Sequence, residues 1–127
     1  MNGITKPRVL VVDDNQMNIE LARFVLEEDG MQVEAALDAQ QAAEVLQRFV
    51  PDLILMDIQM PGVDGLELTR RLRADPATRH IPVVAFTAYA MKGDRARMLE
   101  AGCDGYIAKP IDVAKFAGQV REGLRLP

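Results

Sequence analysis

The stretch LILMDIQMPGVDG, residues 53–65, decides the fold. Its first four residues form a continuous apolar run, which is typical of a strand that helices cover on both faces. The run ends at Asp57, although aspartate is rare in strands and costly to bury without a partner. A strand that ends on such a side chain predicts a site at this edge of the sheet.

Strand and helix patterns alternate along the rest of the chain. Strands are predicted at 8–12, 32–36, 52–56, 81–86 and 105–108, and helices at 16–29, 38–49, 65–73, 91–101 and 112–124. Asp38 is the expected N-cap of the second helix and Gly30 the expected C-cap of the first. Five strands alternating with five helices predict an α/β domain with a parallel sheet.

Composition narrows the class of protein. The 127 residues are 49% hydrophobic and 27% charged, which fits one domain spanning 1–127. The net charge of -4 argues against nucleic acid as a direct partner. A single cysteine fits a cytoplasmic protein, and neither a membrane-length apolar run nor a signal peptide is present, so no membrane insertion is expected.

Polar side chains follow four of the five predicted strands. They are Asp13 and Asp14 after the first strand, Asp57 after the third, Thr87 after the fourth and Lys109 after the fifth. The second strand carries nothing comparable, which suits a peripheral strand in the order 2-1-3-4-5. Ligands bind at the carboxyl ends of such strands, and because the first and third strands are neighbours in this order, we expect Asp13, Asp14 and Asp57 to meet there.

The chemistry of that group of side chains can be stated. Adjacent first and third strands bring the three carboxylates together, and a hard divalent cation such as Mg²⁺ relieves their repulsion. The ammonium of Lys109 and the hydroxyl of Thr87 suit phosphoryl oxygens. A carboxylate in this setting can accept a phosphoryl group as an acyl phosphate.

Four motifs resemble, in this order, the receiver domain of two-component response regulators. They are VLVVDDN at 9–15, LILMDIQMPGVDG at 53–65, VVAFTA at 83–88 and GYIAKP at 105–110. The resemblance covers residues 7–125 and implies a flavodoxin-like, doubly wound sandwich with five helices. It also implies a phosphoprotein of a phosphorelay, a signalling switch and not an enzyme.

The resemblance assigns roles at the metal site. Asp57 is the expected phosphoacceptor. Asp14 and Asp57 are expected to bind Mg²⁺ through their carboxylates, with Asp13 acting mainly through a metal-bound water. The backbone carbonyl of Gln59 is expected to complete the protein ligands.

The resemblance also implies a switch. Thr87 and Lys109 are expected to hold the phosphoryl group, and Tyr106 to turn inward as the hydroxyl of Thr87 moves toward it. The surface formed by the fourth helix, fifth strand and fifth helix would then change. The bond from Lys109 to Pro110 is expected to be cis, which presents the lysine.

Two protein partners follow from the same resemblance. The first helix is expected to dock on a histidine kinase or histidine phosphotransfer protein, and the fourth helix, fifth strand and fifth helix on a downstream protein. Met17 and Phe24 are expected to lie exposed on the first helix. Its sheet-facing stripe is predicted to be Leu21, Ala22, Val25 and Leu26.

Other interpretations stay open beside the single-domain response regulator. One is a receiver domain cut from a longer hybrid kinase or regulator. A second is a small Mg²⁺-dependent phosphohydrolase, which needs a further carboxylate where this chain has Gln59. A third is a flavin-binding module, which needs a phosphate-binding loop where this chain has Asp-Asp-Asn. Among other residues, Cys103 is interpreted as packing, and Arg70, Arg71 and Arg73 as a solvated face.

Overall fold

The computed structural model describes residues 6–60, 64–88 and 92–124. Within these three ranges, five strands and five helices alternate along the chain. In order, they are β1 Arg8–Val12, α1 Gln16–Glu28, β2 Gln32–Ala36, α2 Ala39–Leu46, β3 Leu53–Met56, α3 Gly65–Ala74, β4 Val83–Thr87, α4 Lys92–Ala101, β5 Gly105–Ala108 and α5 Phe116–Leu124. The strands form one parallel sheet in the order β2-β1-β3-β4-β5, which confirms the predicted architecture.

Helices cover both faces of this sheet. Alternate residues of the central strands point to opposite sides, so each strand feeds two hydrophobic layers. The layer under α2, α3 and α4 contains Leu10, Val12, Ile54 and Met56. The layer under α1 and α5 contains Val9, Val11, Leu53 and Leu55. The apolar run that ends at Asp57 is therefore buried on both sides, as its composition predicted.

Some element boundaries differ from the predicted ones. The last helix begins at Phe116 and not at 112, because residues 112–115 form a turn in which the carboxylate of Asp112 accepts from the amide of Ala114. The second helix ends at Leu46, three residues before the predicted end. Asp38 caps it as predicted. The predicted start of the fourth helix, at 91, lies outside the described residues.

The buried stripe of α1 corrects one prediction. Its buried residues are Ile19, Ala22, Val25 and Leu26, and Leu21 is 39% exposed. Successive residues turn by about 100° around a helix, so Leu21 points well away from Ala22 at the centre of the stripe. Met17 and Phe24 are exposed, as predicted, and Leu21 lies on the same side of the helix.

Arg73 corrects another prediction, because it is not part of a solvated face. Its guanidinium donates to the carbonyl oxygens of Gly102, Arg79 and Ile81, at 2.9, 3.0 and 2.6 Å. It also pairs with the carboxylate of Asp104 at 2.7 Å. The end of α3 is thereby tied to the segments that precede β4 and β5. The other two arginines of this group are exposed, as predicted.

Within the three described ranges, none of the helices has the length and hydrophobicity that crossing a bilayer requires.

Candidate functional site

Strand pairing brings the acidic residues together. The pairing of β1 with β3 continues for one residue past Met56, because the amide of Asp57 donates to the carbonyl of Val12 at 2.9 Å. On the other side of β1, the amide of Asp13 donates to the carbonyl of Ala36 at 3.0 Å. Asp13 and Asp57 therefore lie on neighbouring strands at the carboxyl edge of the sheet.

Three carboxylates form one cluster at this edge. Asp13, Asp14 and Asp57 each place an oxygen within 4.8 Å of the other two. Asp13 and Asp57 are buried, whereas Asp14 faces solvent. The three side chains therefore lie together, as expected. The cluster is open to solvent on the side of Asp14.

Lys109 supplies positive charge to the two buried carboxylates. Its Nζ lies 2.9 Å from Oδ2 of Asp13 and 3.6 Å from Oδ2 of Asp57. The ammonium also lies 4.9 Å from the ring centroid of Phe86, a cation–π contact. The peptide bond from Lys109 to Pro110 is cis, the isomer that the resemblance implied.

Backbone and amide donors fix the orientation of the carboxylates. The amide of Asn15 donates to Oδ1 of Asp13 at 2.9 Å, and Nδ2 of Asn18 lies 3.5 Å from Oδ2. The amide of Gln59 donates to Oδ1 of Asp57 at 3.0 Å. Asn15 also caps α1, a role not assigned from the sequence although Asn is a preferred N-cap residue.

The site perturbs the ionisation of Asp57. Burial raises its pKa from the ordinary 3.8 to about 6. The hydrogen bond from the amide of Gln59 and the charge of Lys109 act in the opposite direction, while the neighbouring Asp13 and Asp14 raise the pKa further. Desolvation and like charge therefore outweigh the lysine in the metal-free site.

Thr87 and Tyr106 lie on the two strands beside this cluster. Thr87 is the last residue of β4 and is buried, and its carbonyl accepts from the amide of Lys109 at 2.8 Å. Tyr106 lies one strand further out, in register with Ala85, and is 38% exposed. The guanidinium carbon of Arg95, on α4, lies 4.7 Å from the centroid of its ring.

Gly65 is a site residue that the sequence analysis missed. It opens α3, whose N-cap is Asp64. A Cβ atom at this position would collide with the carbonyl oxygen of Asp57, so only glycine permits α3 to begin so close to the acidic cluster. The signal was present in the sequence as an Asp-Gly pair that precedes an amphipathic segment.

The donor set fits a divalent cation. The three ionised carboxylates carry a formal charge of -3, and among the described residues the ammonium of Lys109 pairs with two of them. Mg²⁺ binds through few carboxylates and retains waters or phosphate oxygens, which suits a cluster with one solvent-facing member. Because the oxygens of a phosphoryl group can serve as ligands of the metal, both groups could occupy the solvent-facing side of the cluster.

Comparison with known proteins gives one consistent family. The model of the response regulator receiver domain matches residues 9–121. A polar-differentiation response regulator, DivK of Brucella anthropi, is 44% identical over 116 residues, which are 91% of this chain and 94% of that protein.

Solved structures agree with that match. The receiver domain of a sensor histidine kinase from Pseudomonas aeruginosa, with a magnesium ion coordinated in its active-site cleft, is 34% identical with a TM-score of 0.84, covering 95% of this chain and 99% of that one. The chemotaxis protein CheY4 of Vibrio cholerae shares the fold, with a TM-score of 0.88 at 23% identity over 93% of this chain and 98% of that one.

Proposed function

This chain belongs to the response regulator receiver domains, and on that premise we propose that it is a single-domain phosphoacceptor switch. Asp57 takes a phosphoryl group from a phosphohistidine of a sensor kinase or histidine phosphotransfer protein. The observation that carries the proposal is the burial of Asp57 between two further carboxylates and Lys109, at the carboxyl edge of the sheet. We place the protein in the cytoplasm, where such partners expose their phosphohistidines.

Mg²⁺ is the cofactor that this arrangement suits. Asp14 and Asp57 would hold it through carboxylates, Asp13 through a bound water, and Gln59 through its backbone carbonyl. Bound there, the ion would offset the negative charge that gathers on the phosphoryl oxygens during transfer. In support, the three side chains place oxygens within 4.8 Å of one another, and a kinase receiver domain 34% identical to this chain carries magnesium in its cleft.

The transfer itself exchanges one bond for another. The bond between phosphorus and an imidazole nitrogen of the donor breaks, and a bond from phosphorus to a carboxylate oxygen of Asp57 forms. The nitrogen keeps the electron pair and takes up a proton. Lys109 already lies near both buried carboxylates, so its ammonium is positioned to pair with a phosphoryl oxygen. Thr87 offers its hydroxyl to a second oxygen.

Phosphorylation adds charge of about -1.5 to -2 and new acceptor oxygens next to Thr87. We propose that the hydroxyl moves toward these oxygens and that Tyr106 turns inward from its half-exposed position. The surface of α4, β5 and α5 then changes and regulates a downstream protein. The register that pairs Thr87 with Ala108 and Ala85 with Tyr106 supports such coupling between the two strands.

The donor would dock on α1. This helix begins directly after the acidic cluster, and Met17, Leu21 and Phe24 lie on its solvent side. They occupy positions i, i+4 and i+7, so they form one apolar stripe along the helix. A stripe of this kind fits a groove between two helices of a phosphohistidine-bearing bundle.

Intact-mass measurement tests the acceptor. Wild-type protein treated with a small-molecule acyl phosphate and Mg²⁺ should gain one phosphoryl group, and the gain should disappear in chelator. Asp57→Asn should gain none. Asp52→Asn is the matched control, because Asp52 precedes the same strand but is exposed and pairs with Arg8. Stoichiometric phosphorylation of Asp57→Asn, or none in wild type, would overturn the assignment.

Phe24→Asp tests the docking helix. The variant should accept the phosphoryl group more slowly from a phosphorylated kinase but at the wild-type rate from the small donor. Val50→Asp is the control, since Val50 is also an exposed apolar residue but lies after α2. Kinase-dependent rates that are the same for both variants and wild type would remove α1 from the interface.

A further inference from the structure

The two ends of α4 are packed very differently. Met98 and Ala101, near its end, are buried in the layer beneath α2, α3 and α4. Residues 93–97, in its first half, are exposed or half-buried, and a Cβ on Gly93 would meet no atom within 4 Å. The apolar contacts that hold this helix to the sheet are therefore concentrated at its carboxyl end.

A network of hydrogen bonds reinforces that carboxyl end. Arg73 of α3 donates to the carbonyl of Gly102, directly after α4, and pairs with Asp104 before β5. Gly102 has a φ of +109°, and a Cβ there would meet the side chain of Arg73. Asp104 also accepts from the amide of Val83 at 2.8 Å. The end of α4 is thus fixed to α3, β4 and β5 at once.

In the first half of α4, Arg95 makes a cation–π contact with β5. Its guanidinium carbon lies 4.7 Å from the centroid of the Tyr106 ring, within the distance of a cation–π interaction. Tyr106 is on the edge strand of the sheet and keeps its ring half-exposed. The contact therefore links the weakly packed half of α4 to the Tyr106 ring while that ring points outward.

We propose that the Arg95–Tyr106 contact stabilises the resting form of the switch and sets how readily the protein is activated. The proposal rests on the proposed function, since it names what holds Tyr106 outward before phosphorylation. Inward rotation of Tyr106 removes the ring from the guanidinium, so activation must break the contact. The first half of α4 is then released, while Arg73 and the buried Met98 keep the other end in place.

The expected size of the effect is modest and measurable. A cation–π contact at an exposed site favours one state over the other by about two- to five-fold. Removal of the guanidinium should therefore tighten the binding of a phosphate mimic by the same factor. Arg95 regulates the equilibrium and does not touch the phosphoryl group, so the chemistry at Asp57 should be unaffected.

The test is a titration with beryllofluoride in the presence of Mg²⁺, followed through backbone amide NMR shifts of β5 and of residues 93–97 in the first half of α4. Arg95→Ala should reach half-saturation at an about two- to five-fold lower beryllofluoride concentration than wild type. Arg95→Lys keeps a cation and should lie between the two. Arg97→Ala is the control, because Arg97 is an exposed arginine of the same helix that pairs with Asp94 three residues before it.

A double-mutant cycle isolates the contact itself. In a Tyr106→Leu background the ring is absent, so Arg95→Ala should no longer change the affinity for beryllofluoride. Affinity of Arg95→Ala equal to that of wild type, or a gain that persists with Tyr106→Leu, would overturn the proposal. Failure of wild-type protein to bind beryllofluoride would instead overturn the proposed function, so the two failures are distinguishable.

Discussion

Replacement of Asp57 by asparagine should stabilise the metal-free protein. The carboxylate is buried beside two other acidic side chains, and burial raises its pKa from 3.8 to about 6. That rise corresponds to about 3 kcal/mol at neutral pH, since each pKa unit is worth about 1.4 kcal/mol. Asparagine has the same shape, keeps an acceptor for the amide of Gln59 and carries no charge.

The stabilisation should depend on pH with a defined sign. Because the pKa of Asp57 is higher in the folded than in the unfolded protein, the folded state holds its proton to higher pH. The contribution of this group to wild-type stability is complete below about pH 4 and is lost as the pH rises through about 6. Asp57→Asn does not titrate, so its advantage grows over the same range.

Urea unfolding followed by circular dichroism, in chelator, measures this difference. At pH 7.5 Asp57→Asn should have a free energy of unfolding about 1–3 kcal/mol above wild type, the upper figure being the full effect of the raised pKa. The gain should fall by about half at pH 5 and nearly vanish at pH 4. Asp52→Asn, which removes an exposed carboxylate, should change stability by less than about 1 kcal/mol.

Two results would refute this reasoning. One is a metal-free Asp57→Asn protein no more stable than wild type at pH 7.5. The other is a gain that is equally large at pH 4, which would point to packing and not to ionisation. If the carboxylates hold Mg²⁺ as proposed, saturating Mg²⁺ should stabilise wild type more than the variant, since the ion would bind the folded site alone and would lose one carboxylate in the variant.

Three further substitutions test the packing around the site. Gly65→Ala should lower the free energy of unfolding by about 1–3 kcal/mol, because its methyl group meets main-chain atoms; an unchanged urea midpoint would contradict the collision. Lys109→Ala should cost about 3–5 kcal/mol in chelator by leaving the buried Asp13 without its cation, and Mg²⁺ should restore part of the lost thermal stability. Arg73→Ala should cost about 2–3 kcal/mol in urea unfolding, and the exposed Arg71→Ala less than about 0.5, with equal losses counting against the bonds described for Arg73.

The sheet could be predicted from the sequence because two signals agree. Continuous apolar runs mark strands covered on both faces, and each run in β1 and β3 stops at an acidic residue. In the order of this sheet those two strands are neighbours. Asp13, Asp14 and Asp57 therefore lie close together. A pattern of this kind is local, so one sequence suffices to reveal it.

Long-range contacts of polar side chains could not be predicted in the same way. Arg73 looks like any arginine on an amphipathic helix, and its acceptors are carbonyls that only the folded chain brings within reach. The same applies to Arg95, whose partner Tyr106 lies on a different element. Leu21 shows a further limit of the pattern. As an apolar residue next to the buried stripe in sequence it was predicted to be buried, but its position around the helix exposes its side chain to solvent.

The separation of the core into two layers has an evolutionary consequence. Side chains of α1 pack on one face of the sheet and those of α4 on the other, with the strands between them. Among the described residues, the buried side chains of these two helices belong to different layers, so the effects on stability of substitutions on their outer surfaces should add. Evolution can therefore change the α1 surface and the α4 surface independently, without repacking the interior.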